Sequence, residues 1–261
     1  MKRLLGILAL VSVAVLCGFG QFQMGNRGFK PAGSSGPSLP APIAQWKFCG
    51  DATCTPSGST SVPDATGNGN SGTWIGTQYG TNNWYGAATD GQPYAGTFNS
   101  PTYVDFTGTS IASVVPTAFT VSVWIDVASW TSFYGPYFCS QCNTGNAHTW
   151  GLFNEAGNGV VIVANNATTL IAPTSSFVSG WNNVIGTWDG TTPKLYVNGV
   201  SVGVSHSDTN YGIGASTAEI GGGGSNWINA LENNVTIYGV ALTSAQALAL
   251  CQAQKGPLGV C

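Results

Sequence analysis

The sequence predicts an all-β chain: a two-sheet antiparallel jelly-roll β-sandwich with one short C-terminal helix. Three observations predict it. Short runs of alternating apolar and polar residues recur along the chain, each bounded by Gly, Asn, Asp or Pro. The composition agrees, with 37 Gly in 261 residues and only 7% charged side chains. Abundant Thr, Ser and Asn suit strands joined by tight turns, whereas helices draw on Ala, Leu, Glu and Lys. Finally, KLYVNGVSVG (194–203) places Asn198-Gly199 between two β-forming arms, the pair favoured where a hairpin turn needs two positive φ values.

The chain opens with Lys2 and Arg3 followed by LLGILALVSVAVLCGFG, a short basic region before an apolar run. That is the pattern of a secretory signal, read here as residues 1–20, with cleavage before Gln21 after the small Gly18 and Gly20. The run is short for a membrane span, which needs roughly 20 residues, and no later stretch could span a bilayer once the signal is removed. Lipid attachment at Cys17 is the less favoured alternative, because Leu16 stands where lipoprotein signals carry Gly or Ala. Residues 21–42 are rich in Gly, Pro and Ser and read as a tether. The location implied is secreted or at the cell surface. Without residues 1–20 the chain keeps five Lys and Arg against ten Asp and Glu, a net charge of −5. That argues against nucleic acid, which needs a basic face.

The remaining domain, 43–261, is long enough for one sandwich. Its first strand is IAQWKF (43–48). Residues 49–83 read almost wholly as turn, with TWIGT as a short strand. YVDF (103–106) is followed by the alternating FTVSVWID (119–126), whose Phe119, Val121, Val123 and Ile125 share the better core face. Further strands are expected at 148–153, 159–164 and 181–188, then in the hairpin at 194–197 and 200–204. Two more follow at 218–220 and 232–238. LTSAQALALCQAQ is the helical stretch, with Thr243 or Ser244 as cap and an apolar stripe through Ala245, Leu248 and Ala249, extended by Leu250 and Cys251.

After Cys17, six cysteines fall as close pairs, and an even count in an exported chain favours disulfides. Local pairing is expected: Cys49 with Cys54, Cys139 with Cys142, and Cys251 with Cys261. Six cysteines allow fifteen connectivities.

Five segments in order resemble the concanavalin A-like lectin/glucanase superfamily in its laminin-G-like, pentraxin-like branch. AQWKF with DATGNGNSGTW (64–74) is similar to that family's opening strand and Gly/Asn loop. YVDFTG (103–108) and FTVSVWID (119–126) resemble two of its inner strands. WNNVIGTWDGTTPKLYVNGVSVG (181–203) is the strongest match, and AEIGGG with NNVTIYGVALTSAQ resembles the closing strand and helix. The resemblance implies the jelly-roll sandwich. It leaves function open, because binding modules, adhesion domains and hydrolases share this fold.

Asp64, Asn68 and Asn70 lie in one Gly-interrupted loop and offer the oxygen donors that hard cations prefer. In the resembling family an Asp near the start of the closing strand completes a metal site; here that position reads Asn233, so one charge is missing. Calcium at Asp64, Asn68, Asn70 and Asn233 stands beside the simpler reading that Asp64 clips the turn by hydrogen bonds. Loop aromatics can lid a core or present flat faces to sugars. Trp74, Trp84, Tyr85, Trp130, Tyr134 and Tyr137 are the ligand-binding candidates. Hydrolases of this fold carry an acidic cluster on one strand. Glu155, Glu219 and Glu232 are the glutamates here, and each lacks a carboxylate partner within five residues. No Gly-x-Ser-x-Gly elbow or phosphate loop is present. The function expected is an exported, non-catalytic binding or adhesion module for a glycan or a surface protein. The alternatives are a self-associating structural surface protein and a glycoside hydrolase or lyase of the same fold.

Overall fold

The structure is a computed structural model, and it describes residues 36–48, 60–75, 96–98, 102–130, 134–142, 148–155, 157–165, 167–207, 218–222, 227–255 and 260–261. The described strands are β1 (Ala44–Trp46), β2 (Ser61–Val62), β3 (Gly72–Ile75), β4 (Gly96–Phe98), β5 (Tyr103–Asp105), β6 (Phe119–Val127) and β7 (Pro136–Ser140). They continue as β8 (Trp150–Asn154), β9 (Gly159–Ala164), β10 (Ala167–Pro173), β11 (Trp181–Trp188) and β12 (Pro193–Val197). The last are β13 (Val200–Val202), β14 (Val204–Ser205), β15 (Ala218–Ile220) and β16 (Ala230–Tyr238), followed by helix α1 (Ser244–Gln254).

Two antiparallel sheets result. One holds seven strands in the order β1-β16-β6-β11-β12-β13, with β4 also paired to β16. The other holds nine, β14-β10-β9-β8-β7-β15-β5-β3-β2. Neighbours distant in sequence, such as β16 beside β6, give the crossed connections of a jelly roll.

The alternation in FTVSVWID sets the geometry. Phe119, Val121, Val123 and Ile125 enter the core between the sheets, where β11 contributes Val184 and the facing sheet contributes Leu152 and Ile162. A run of aromatic rings fills its middle. Trp46 lies 4.4 Å from Phe106 and 5.8 Å from Phe138, which in turn lies 5.4 Å from Trp150. Burying rings this large is worth several kcal/mol each, and their indole N–H groups need partners. Trp46 Nε1 donates to the Asn70 carbonyl at 2.9 Å and Trp150 Nε1 to the Val114 carbonyl at 3.0 Å.

The outer face of the seven-stranded sheet is covered as well. Helix α1 lays Ala247 and Leu250 on Ile185, Tyr196 and Tyr238, while Cys251 packs with Trp124 and Trp181. The buried stripe is therefore Ala247, Leu250 and Cys251: of the expected residues Leu250 and Cys251 lie on it, while Ala245, Leu248 and Ala249 do not, and Leu248 is 37% exposed. The helix has to present the face that meets the aromatic surface of the sheet, and its small Ala-rich sequence offered more than one such face. Thr243 is the cap, closing a capping box with Gln246. The Gly36–Pro42 segment, read from sequence as the end of the tether, runs along the same surface: Leu39 packs into this cluster and the Ser38 carbonyl accepts from Gln246 Nε2 at 2.9 Å. Disulfides join Cys139 to Cys142 and Cys251 to Cys261. Cys49 and Cys54 lie outside the described residues.

Candidate functional site

The Asp64 carboxylate and the Asn70 side-chain oxygen accept from donors within the loop and on the segments beside it. Asp64 Oδ1 accepts from the Thr66 hydroxyl at 2.7 Å, the Thr66 N–H at 2.9 Å and the Gln45 N–H at 3.1 Å. Its Oδ2 accepts from the Asn70 N–H at 3.1 Å. Burial pushes the Asp64 carboxyl up, but these four bonds outweigh it and hold the group below its ordinary 3.8. Asn70 Oδ1 accepts from Ser110 Oγ and the Ile111 N–H, and the amides of Asn68 and Asn70 both donate to the Ile43 carbonyl. Asn233 lies fully buried in β16 opposite Trp124. This donor set fits a hydrogen-bonded turn; a cation would have to displace the N–H and O–H groups already on the carboxylate.

The aromatic candidates separate. Trp74 and Tyr137 are 0% and 1% exposed, buried in the core between the sheets, so neither presents a face to a ligand. The reason is pairing: β3 and β7 are inner strands of the nine-stranded sheet, not loops. Trp74 instead packs on Phe98 at 5.1 Å. Tyr134 packs, half-buried, against the Cys139–Cys142 cluster on the outside of that sheet. Trp84 and Tyr85 lie outside the described residues.

Trp130 stands at a cleft. Where β6 ends, Asp126 and Val127 face the turn that joins β10 to β11, and Thr174, Phe177, Val178, Ser179, Gly180 and Asn182 complete a lining around about 260 Å³. Trp130 meets Phe177 edge-on at 4.9 Å, giving the cleft an aromatic wall. Asn182 builds the turn. Its Nδ2 donates to the Val178 and Gly180 carbonyls, both at 2.8 Å, and its Oδ1 accepts from the Val178 N–H at 2.9 Å. Gly180 has φ +83°, a backbone that a β-carbon would strain. Sequence reading found Trp130 but missed Asp126, Thr174 and Ser179 as its neighbours. The signal available was the hydroxyl- and Gly-rich TSSFVSGW leading into β11. A second groove of about 530 Å³ lies beside the Asp64 loop, lined by Ile43, Asn68, Asn70, Ser110, Ile111, Ser113 and Val114.

The glutamates are dispersed. Glu155 pairs with His206 at 3.1 Å. Glu219 lies within 4.8 Å of Cys139 and Cys142, whose sulfurs are bonded to each other and offer no thiolate. Glu232 is fully buried, neither carboxyl oxygen has a hydrogen-bond partner, and loss of solvent pushes its carboxyl well above the ordinary 4.5. Burial, with Glu232 second, likewise raises the Tyr137 phenol.

Comparison with known structures finds the same fold. The chain superimposes on domain 4 of AbnA, a GH43 extracellular arabinanase from Geobacillus stearothermophilus solved with arabinotriose. The TM-score is 0.53 at 19% identity, covering 81% of this chain and 98% of that one. It also matches the binding domain of Paraclostridial Mosquitocidal Protein 1, with a TM-score of 0.51 at 14% identity over 81% of this chain and 52% of that one. A Trypanosoma rangeli sialidase mutant displaying trans-sialidase activity matches with a TM-score of 0.52 at 14% identity, covering 84% of this chain but 33% of the sialidase. Compared with curated protein sequences, the chain finds no match. A family model matches residues 98–247, the span from β4 into helix α1 that carries the cleft, and by that match the chain belongs to the concanavalin A-like lectin/glucanases superfamily.

Proposed function

We propose that this chain is a non-catalytic glycan-binding module, exported to act in solution or at a cell surface. The observation that carries this reading is the Trp130 cleft. An aromatic wall suits the C–H face of a sugar ring, and a carboxylate with two hydroxyls suits its O–H groups. Membership of a lectin/glucanase superfamily supports it, as does the likeness in fold to an arabinanase domain crystallised with arabinotriose. Binding without turnover fits the dispersed acids: Asp126 at the cleft, Glu155 on His206, and Glu219 and Glu232 buried elsewhere. Among the described residues, no helix is long and apolar enough to cross a membrane.

A glycan array probed with the chain lacking residues 1–20 tests the proposal. Binding to a defined set of saccharides, lost on Trp130→Ala, supports it; an empty array contradicts it, and release of reducing ends from a polysaccharide panel would return the hydrolase reading. One observation favours self-association as a second reading: Val200 and Val204 are 64% and 55% exposed on β13 and β14, the edge strands of the two different sheets. Sedimentation showing concentration-dependent polymers that Val200→Lys dissolves would support it.

A further inference from the structure

The Asn198-Gly199 turn between β12 and β13 does more than reverse the chain. Asn198 is 8% exposed and is not part of the cleft lining, yet its side chain reaches back to β11. Its Oδ1 accepts from the Asn183 N–H at 2.9 Å, and its Nδ2 donates to Asn182 Oδ1 at 2.9 Å. Asn182 in turn holds the Val178 and Gly180 main chain, so a single amide links the hairpin to the cleft wall.

The polarity of these bonds admits one arrangement. A main-chain N–H only donates, so Asn183 takes the oxygen of Asn198 and leaves its nitrogen for Asn182. The Val178 and Gly180 carbonyls only accept, so they take the nitrogen of Asn182 and leave its oxygen for the Val178 N–H and Asn198. Four bonds therefore meet on the Asn182 amide, and a buried amide satisfied at every site holds a single orientation. At the far end of the wall the Thr174 N–H donates to the Asn158 carbonyl at 3.1 Å. The segment 174–180 is thus pinned at both ends, with Phe177 between them set against Trp130 at 4.9 Å.

Resting on the glycan-binding reading, we infer that Asn198 is a positioning residue of the Trp130 cleft: it fixes the Asn182 amide, and Asn182 fixes the turn that carries Phe177. A wall formed in advance spares binding the cost of ordering it. Two variants separate this role from turn formation. Asn198→Gly tolerates the left-handed backbone, φ +52° here, but makes neither side-chain bond. Asn198→Asp tolerates that backbone too and keeps an oxygen for Asn183, but sets an acceptor against Asn182 Oδ1.

Amide hydrogen exchange reads the linkage with no ligand present. In both variants the Val178 N–H exchanges faster than in the wild type by about tenfold or more. The Leu242 N–H, bonded to the Thr120 hydroxyl at the other end of β6, keeps its rate to within about twofold. Calorimetry with the saccharide selected on the array then shows binding weaker by about fivefold or more in Asn198→Gly; in an Asn182→Ala background the same change alters affinity by less than about twofold, because its route is already cut. An unchanged Val178 rate, a Leu242 rate raised as much as that of Val178, or an Asn198→Gly loss that persists in full in the Asn182→Ala background overturns the inference. So does an affinity that Trp130→Ala lowers and Asn198→Gly does not, with the glycan reading intact. No saccharide binding, or binding that Trp130→Ala leaves unchanged, overturns the glycan reading itself and takes the inference with it.

Discussion

Asp64, Asp105 and Asp189 each precede a Thr by two positions, and each carboxylate accepts from both the N–H and the hydroxyl of that Thr. Of the three, the sequence reading anticipated the clip at Asp64 alone, beside the calcium alternative; the geometry is local and needs no distant partner. The consequence is measurable at Asp64. Its carboxyl sits below 3.8, so it contributes stability that is present above that value and lost as pH falls through the folded value. Asp64→Asn is expected to lower the urea midpoint at pH 7 and to flatten the fall in stability below pH 4, read from denaturation at stepped pH. Glu232 works the other way. Its carboxyl is raised by burial, so the stability linked to it is complete below about 4.5 and is lost as pH rises towards the folded value, at up to about 1.4 kcal/mol per pH unit. Glu232→Gln is expected to hold its urea midpoint better than the wild type between pH 5 and pH 9; identical slopes would contradict it. Nothing in the sequence marked Glu232 as interior, since a β-bulge between Asn233 and Thr236, with Asn234 at φ +49°, shifts the alternation of β16 there.

At the scale of elements, strands with one apolar and one polar face were readable, and so was the hairpin, where Asn198 and Gly199 have φ of +52° and +76°. Strands β7 and β10 were not anticipated. PYFCS is buried along its whole length and shows no alternation, and ATTLIAP is interrupted by a register shift and ends in Pro. Their absence from the sequence reading is what left Tyr137 looking like a loop aromatic. Helix α1 offers a direct check. Thr243→Ala removes one half of the capping box, with an expected cost of about 1 kcal/mol in thermal or urea unfolding. The Cys251–Cys261 bond ties the chain end beside Trp124 and Trp181. Replacing both cysteines by Ser is expected to cost about 2–3 kcal/mol and to change the tryptophan fluorescence. For the Asp64 loop, melting in EDTA and in millimolar calcium should give the same temperature, because N–H and O–H donors of the loop and of Gln45 already occupy the carboxylate. A calcium-dependent rise that Asp64→Ala abolishes would instead establish a cation there.

At the scale of the molecule, two sheets bury one aromatic core and a helix seals the outer face of the seven-stranded sheet, which leaves the strand ends to carry recognition. The sandwich was legible because its alternation and turn chemistry are distributed over many strands. The cleft was only half legible. Trp130 announced itself as a loop aromatic, but Asp126 joins the β10–β11 turn there only after β6 and β11 pair, with Asp126 opposite Trp181. The central claim, that this cleft binds glycan without turning it over, is tested most directly by calorimetric titration of the wild type and Trp130→Ala with the tightest saccharide from the array, followed by analysis of the recovered sugar. The account predicts saturable binding by the wild type, an affinity at least about tenfold weaker in Trp130→Ala measured well below that variant's own melting temperature, and intact saccharide at the end. Equal affinity in the two proteins, or cleaved saccharide, would contradict it.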